Sequence, residues 1–236
     1  MNIGGKYSSR KSHNDTLEGS TWFFGGSTMF GIDSEDDHTI PSQFAKLKKT
    51  GVKNFGFIDW NSRQSLNHLI SIIGDGNTPK KIVFYDGVND VLHGCKEFAH
   101  TIPTHSMTKY ISDSISKDWY FIYFLKNKYS QITQTLIRPY VLLTNKLLPA
   151  VVKETSYINK KYGNCLDNIV RHEEIANHLL NNWYLGYLIA QSRGAKFLAI
   201  LQPTSFSSSS PLGYLMEKDR HRIHEYEFNN VYKAIR

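Results

Sequence analysis

The chain has 236 residues, 40% of them hydrophobic and 13% aromatic, which is enough apolar material for one sizeable core. Lysine and arginine outnumber aspartate and glutamate 28 to 21, for a net charge of +7. The basic residues are dispersed and no usual nucleic-acid motif accompanies them, so nucleic acid is not an expected partner. An ordinary charged fraction of 21% excludes wholesale disorder, and no run of about 18 apolar residues marks a clear membrane span.

Apolar runs and helical periodicities alternate along the chain. TWFFG, ending at Gly25, predicts a first strand. TIPSQFAKLKK predicts a helix, with Pro41 suited to its first turn. VKNFG, from Val52 to Gly56, predicts a second strand. NSRQSLNHLISIIGDG predicts an amphipathic helix with Leu66, Leu69, Ile70 and Ile73 on one face, stopped by glycines. KIVFYDG is near-continuously apolar, as a buried parallel strand is. CLDNIVRHEEIANHLLNNWYLGYLIAQSRG predicts a long helix ended by Gly194, and KFLAILQP a fourth strand ended by Pro203. LMEKDRHRIHEYEFNNVYKAIR predicts one more helix. Strands alternating with helices in this way form a parallel sheet covered on both faces.

Residues 96–164 break the alternation and read as a mostly helical insertion after the third strand. Within it, Trp119 to Val152 is the most apolar stretch, but lysines, an arginine and amides interrupt it. A helical hairpin or an interfacial helix fits better than a span, which leaves a peripheral membrane contact through 119–152 open. SFSSSS, residues 205–210, reads as a surface loop. Cys95 and Cys165 are either buried thiols or one bridge, and by themselves fix no compartment. The opening MNIGGKYSSRKSHND lacks the apolar stretch of a secretory signal.

In an open parallel sheet, ligands bind at the carboxyl ends of the strands. The first strand delivers Gly25, Gly26, Ser27 and Thr28; the second delivers Asn54, Phe55 and Gly56; the third delivers Tyr85, Asp86, Gly87, Val88, Asn89 and Asp90; the fourth delivers Gln202, Pro203 and Thr204. The first three supply a hydroxyl, a glycine N–H and an asparagine amide. Acyl-ester chemistry uses that set, because a serine attacks a carbonyl and N–H donors receive the oxyanion. The bland alternatives are a Ser27 that merely ends a strand in a turn and an Asn89 or Asp90 that caps the next helix. A G-x-S-x-G elbow is excluded by Met29, and a phosphate loop by the lack of GK[ST] after the glycines.

FFGGSTMFG, VKNFGFIDWNSRQSL and IVFYDGVND, in that order and spacing, resemble the first three blocks of the SGNH (GDSL-type) hydrolases. HTIPSQ after the first block fits the same family, and the likeness resumes at IANHLLNNWYLGYLIAQSRGAKFLAILQP. The resemblance implies a single α/β domain over 1–236, a three-layer αβα sandwich with a flavodoxin-like parallel sheet. It implies Ser27 as nucleophile, with the Ser27 N–H, Gly56 N–H and Asn89 side chain as oxyanion hole. It also implies an acyl-ester substrate, an O-acylated carbohydrate or a lipid, and neither metal nor organic cofactor.

The family places its general base and the carboxylate that orients it in a late Asp-x-x-His block. After Pro203 the sole aspartate is Asp219, and position 222 is arginine. His221 and His224 stand at the wrong spacing in a charged helix, and His224 is the weak candidate for the base. Asp90-Val-Leu-His93 overlaps the third block and reads as chance. The expectation is thus a hydrolase domain lacking its last block and weak or inactive as it stands. Its rivals are a catalytically dead binding or scaffolding module of the same fold and, less favoured, a flavodoxin-like nucleotide-binding domain.

Overall fold

In a computed structural model, residues 3–4, 7–95, 165, 168–204, 206 and 222–236 are described, with the backbone alone for 3–4 and 222–225. A mixed α/β fold is built on a six-stranded sheet. Its strands are β1 (Ile3–Gly4), β2 (Ser9–Arg10), β3 (Thr21–Gly25), β4 (Val52–Asn54), β5 (Lys81–Asp86) and β6 (Lys196–Leu201). The spatial order is β1-β2-β4-β3-β5-β6. The four strands expected from the sequence run parallel. The short pair β1 and β2, which the sequence reading did not anticipate, adds antiparallel beside β4. Two residues per strand leave too little alternation to read.

The helices are α1 (Ser27–Phe30), α2 (Ile40–Lys48), α3 (Ser62–Gly74), α4 (Val88–Gly94), α5 (Ile169–Ser192) and α6 (Arg222–Ile235). Each middle-sized helix begins where its side chains can satisfy orphan N–H groups. Thr39 caps α2 by accepting from the Ser42 N–H, with Pro41 in the first turn. Asn61 and Gln64 form a reciprocal capping box at α3. Gly194, at φ +67°, lies just past the end of α5.

The buried β3 strand sends Trp22 and Phe24 to one face of the sheet, where they join Ile82 and Phe84 of β5 and Leu66, Leu69 and Ile73 of α3. Phe23 and Val83 point the other way and pack with Met29 and Ala45. Ile70, expected on the apolar face of α3, is 49% exposed; Ile72 takes the inward place. β4 stops at Asn54 rather than Gly56, although the Phe55 and Phe57 N–H groups still donate to the Phe23 and Gly25 carbonyls of β3.

Cys95, just past α4, and Cys165 form a disulfide. It sits in a second core with Val91, Ile175, Phe228, Val231 and Tyr232, drawn from α4, α5 and α6. The two ends of the anticipated insertion are therefore joined, while the insertion itself, 96–164, and its 119–152 stretch lie outside the described residues. No helix among the described residues is long and apolar enough to cross a membrane.

Candidate functional site

β4, β3 and β5 are neighbours and parallel, so their carboxyl ends open on one edge of the sheet. β3 passes through Gly25 and Gly26 into α1, which puts Ser27 at the first helical position. β5 passes through Gly87, at φ +122°, into α4, which puts Asn89 one residue inside that helix. The Asn89 amide lies against Gly26: a Cβ on Gly26 would stand 2.6 Å from Asn89 Nδ2. Asn89 thus lies against the residue that precedes Ser27, a backbone approach that only the missing side chain of Gly26 allows. Asn89 Nδ2 donates to the Trp60 carbonyl at 2.7 Å, which leaves its second N–H for another acceptor.

Gly56 has a different task from the one expected. Its N–H donates to Asn54 Oδ1 at 3.0 Å in a buried contact, so it is not open to an oxyanion. Its Cα instead supports α1 from below, since a Cβ there would lie 2.6 Å from the Phe30 nitrogen. The Gly56 position supports the Ser27–Phe30 turn through packing, and its donor is spent on Asn54.

Ser27 is half-buried, and its hydroxyl has no hydrogen-bond partner among the described residues. No described histidine reaches it. His93 Nε2 lies 2.9 Å from Asp59 Oδ1, so the Asp90-x-x-His93 spacing makes no pair. Asp90 turns instead to the Ser62 N–H and Oγ and to the Gly87 N–H. His172 Nε2 meets the Cys165 carbonyl. The His68 ring is wedged among Phe24, Phe55 and Trp60, and burial lowers its pKa. Burial and the Arg63 charge lower the pKa of His178. The His224 side chain lies outside the described residues. Thr28 Oγ1 accepts from Gln202 Nε2 at 2.8 Å, which ties the start of α1 to the end of β6.

Beneath these groups lies a buried polar network that the sequence reading did not assemble. Asp86 ends β5 and accepts from Ser65 Oγ at 3.1 Å and Trp183 Nε1 at 3.4 Å. Burial, then the nearby Asp90 carboxylate, push its pKa well above the ordinary range. Burial also raises Asp90, against the opposing pull of the donors from Ser62 and Gly87. Asn182 Nδ2 donates to Ser62 Oγ at 2.7 Å, which brings α5 into the network. Tyr232, whose hydroxyl donates to the Gln202 carbonyl at 2.7 Å, has its pKa raised by burial and by Asp90. The pairing of Asp59 with His93 was not anticipated, because they are 34 positions apart in sequence and no spacing rule joins them.

No family model matches the chain, and no curated protein matches it. Among solved structures, one described as "Structure of a putative lipolytic protein of G-D-S-L family from Desulfitobacterium hafniense DCB-2" is similar at 11% identity and a TM-score of 0.33, over 92% of this chain and 98% of that one. At that score the likeness is distant and decides nothing about chemistry.

Proposed function

We propose that this chain is an SGNH-type serine ester hydrolase acting on an O-acylated carbohydrate or a lipid ester. The observation that carries the reading is the Asn89 amide set against Gly26, immediately before Ser27, at the ends of adjacent parallel strands. In this reading the parallel strands take the flavodoxin-like order within a three-layer αβα sandwich, with β4, β3, β5 and β6 as the core. Ser27 Oγ attacks the acyl carbonyl, the C–O bond to the alcohol breaks and the alkoxide leaves with the proton given up by the serine; water then attacks the acyl-serine, releasing the carboxylic acid and restoring the hydroxyl. The Ser27 N–H and the free N–H of Asn89 receive the oxyanion. Gly56 contributes no donor, since Asn54 holds its N–H.

Taking the Ser27 proton is the step with no described group behind it. His224 is the weak candidate for the base in this reading. The absence of any imidazole at Ser27 among the described residues favours one second reading, a binding module of the same fold that does not turn over. Hydrolysis of p-nitrophenyl acetate separates them. Turnover that is lost in Ser27→Ala supports the hydrolase; turnover that is equal in wild type and Ser27→Ala supports the binding module.

A further inference from the structure

Ser27 stands on a helix of four residues, α1. A helix that short has no stability of its own, because it fixes several backbone torsions for very few hydrogen bonds. Its place is set by whatever holds its ends. At its start, Gly26 provides no side-chain cap. At its end, the carbonyls are taken by two buried side chains that face each other across β2 and β4.

Asn54 Nδ2 donates to the Met29 carbonyl at 3.1 Å. Arg10 Nη1 donates to the Phe30 carbonyl at 2.7 Å and to the Gly31 carbonyl. Arg10 Nη2 donates to the Ser34 carbonyl, and Nε to Asp36 Oδ1 at 3.1 Å. The guanidinium also lies 5.1 Å from the Phe30 ring centroid. Arg10 is 1% exposed and Asn54 is fully buried, and the two are partners in the β2–β4 register. A guanidinium is retained inside a protein when its fixed fork of donors is fully used. Here the fork is spent on the peptide carbonyls at and after the end of α1.

We propose that Arg10 and Asn54 are positioning residues for Ser27: a cross-strand clamp that fixes the one-turn helix and so the direction of its first residue. That the clamp serves catalysis rests on the hydrolase reading; that it holds α1 does not. The N-terminal β-strand pair thereby acquires a role at a site it does not touch.

The test uses the full chain with Arg10→Lys and Asn54→Asp. Lysine keeps the charge but cannot span the same carbonyls. Aspartate keeps the acceptor for Gly56 but loses the donor to Met29. Amide hydrogen exchange is followed at Phe30, Gly31 and Ile32, whose N–H groups bond to the Gly26 and Ser27 carbonyls. Their exchange should accelerate about tenfold or more, while strand amides of Val83 and Phe84 stay within about twofold. Lys53→Ala, which removes only a surface pair with Asp15, should change neither. Exchange that is unchanged, or that rises equally in the strands, overturns the clamp. In the kinetic arm, kcat for Ser27-dependent p-nitrophenyl acetate hydrolysis should fall about 10–100-fold with KM nearly constant. A raised KM at constant kcat overturns the positioning role. A wild-type chain with no Ser27-dependent turnover sinks the hydrolase reading, and the exchange arm then decides the clamp by itself.

Discussion

Asn89 of α4 and Trp60, in the segment between β4 and α3, are joined by a hydrogen bond of 2.7 Å from the Asn89 amide to the Trp60 carbonyl. This bond fixes the plane of the amide, so its remaining N–H has one direction. Gly26 fills the angle between them, with its missing Cβ position 2.6 Å from Asn89 Nδ2 and 3.2 Å from the Trp60 oxygen. The asparagine, the loop carbonyl and the glycine before Ser27 therefore form one close-packed unit.

Gly26→Ala tests that unit. Gly26 has φ −80°, which any residue can adopt, so the cost of a methyl there is steric and not conformational. The methyl must push the Asn89 amide away from the Trp60 carbonyl. We expect a loss of about 1–3 kcal/mol in urea unfolding, the usual cost of overpacking, together with loss of Ser27-dependent ester hydrolysis. A variant with wild-type stability would show that the loops yield freely and that Asn89 is not held as described.

The buried pair Asp86 and Asp90 predicts a pH dependence of stability. The raised pKa of Asp86 comes first from burial and then from Asp90. A carboxyl with a raised folded-state pKa holds its proton in the folded chain after the unfolded chain has released it. Its stabilising contribution is complete below the unfolded carboxylate pKa of about 4 and is lost as pH rises toward the folded value. The slope is at most about 1.4 kcal/mol per pH unit for one proton. Asp86→Asn removes this proton uptake and the charge facing Asp90. The stability of wild type relative to Asp86→Asn should accordingly fall between about pH 4 and neutrality. Denaturant midpoints of the two proteins, measured across that range, provide the check; a difference that stays constant with pH would show that Asp86 ionises normally.

Much of this frame is legible in the sequence because its signals are local. Phe23 and Phe24 mark a strand buried on both faces, Thr39 with Pro41 marks a helix start, and Gly87 marks the end of the third strand. The contacts around the site are side-chain hydrogen bonds that no periodicity encodes. Gly56 reads as a free donor until Asn54, two residues earlier, is seen to occupy it. Arg10 carries no signal in the sequence, because its carbonyl partners at Phe30, Gly31 and Ser34 have no side-chain signature. Ile70 and Ile72 exchange roles because the wide apolar arc of α3 allows two phasings, and only the packing of Ile72 in the core selects one.

The disulfide makes a third prediction. Cys95 and Cys165 are separated by 70 positions, and the bridge is almost fully buried between α4 and α5. Arg171 Nε also donates to the Gly94 carbonyl at 3.0 Å, so the bridge closes an already ordered junction. On chain-entropy grounds, closing a loop of that length is worth about 4 kcal/mol. Cys95→Ser with Cys165→Ser should lower unfolding stability by about 2–4 kcal/mol. Added dithiothreitol should act slowly on the native wild type, since the sulfurs are covered. Rapid reduction without unfolding would show that the bridge is accessible and not part of the core.

The last prediction concerns turnover itself. Ser27 has no imidazole partner among the described residues, and an unassisted serine hydroxyl is a weak nucleophile. An oxyanion hole alone still leaves about 10³–10⁴ of rate over water in hydrolases stripped of their triad. We therefore expect slow p-nitrophenyl acetate hydrolysis that Ser27→Ala abolishes. Asn89→Ala should reduce it about 10²-fold, the usual loss for one oxyanion donor. Gly56→Ala should reduce it through the displacement of α1 and not through a lost donor, so its loss should accompany a loss of stability. The rate carries one further piece of information. Robust turnover that falls to the Ser27→Ala level in His224→Ala would identify His224 as the base. Robust turnover that survives His224→Ala would assign that proton transfer to another residue. A rate insensitive to both Ser27 and Asn89 would remove the hydrolase reading, because that reading assigns the attack to Ser27 and the oxyanion to Asn89.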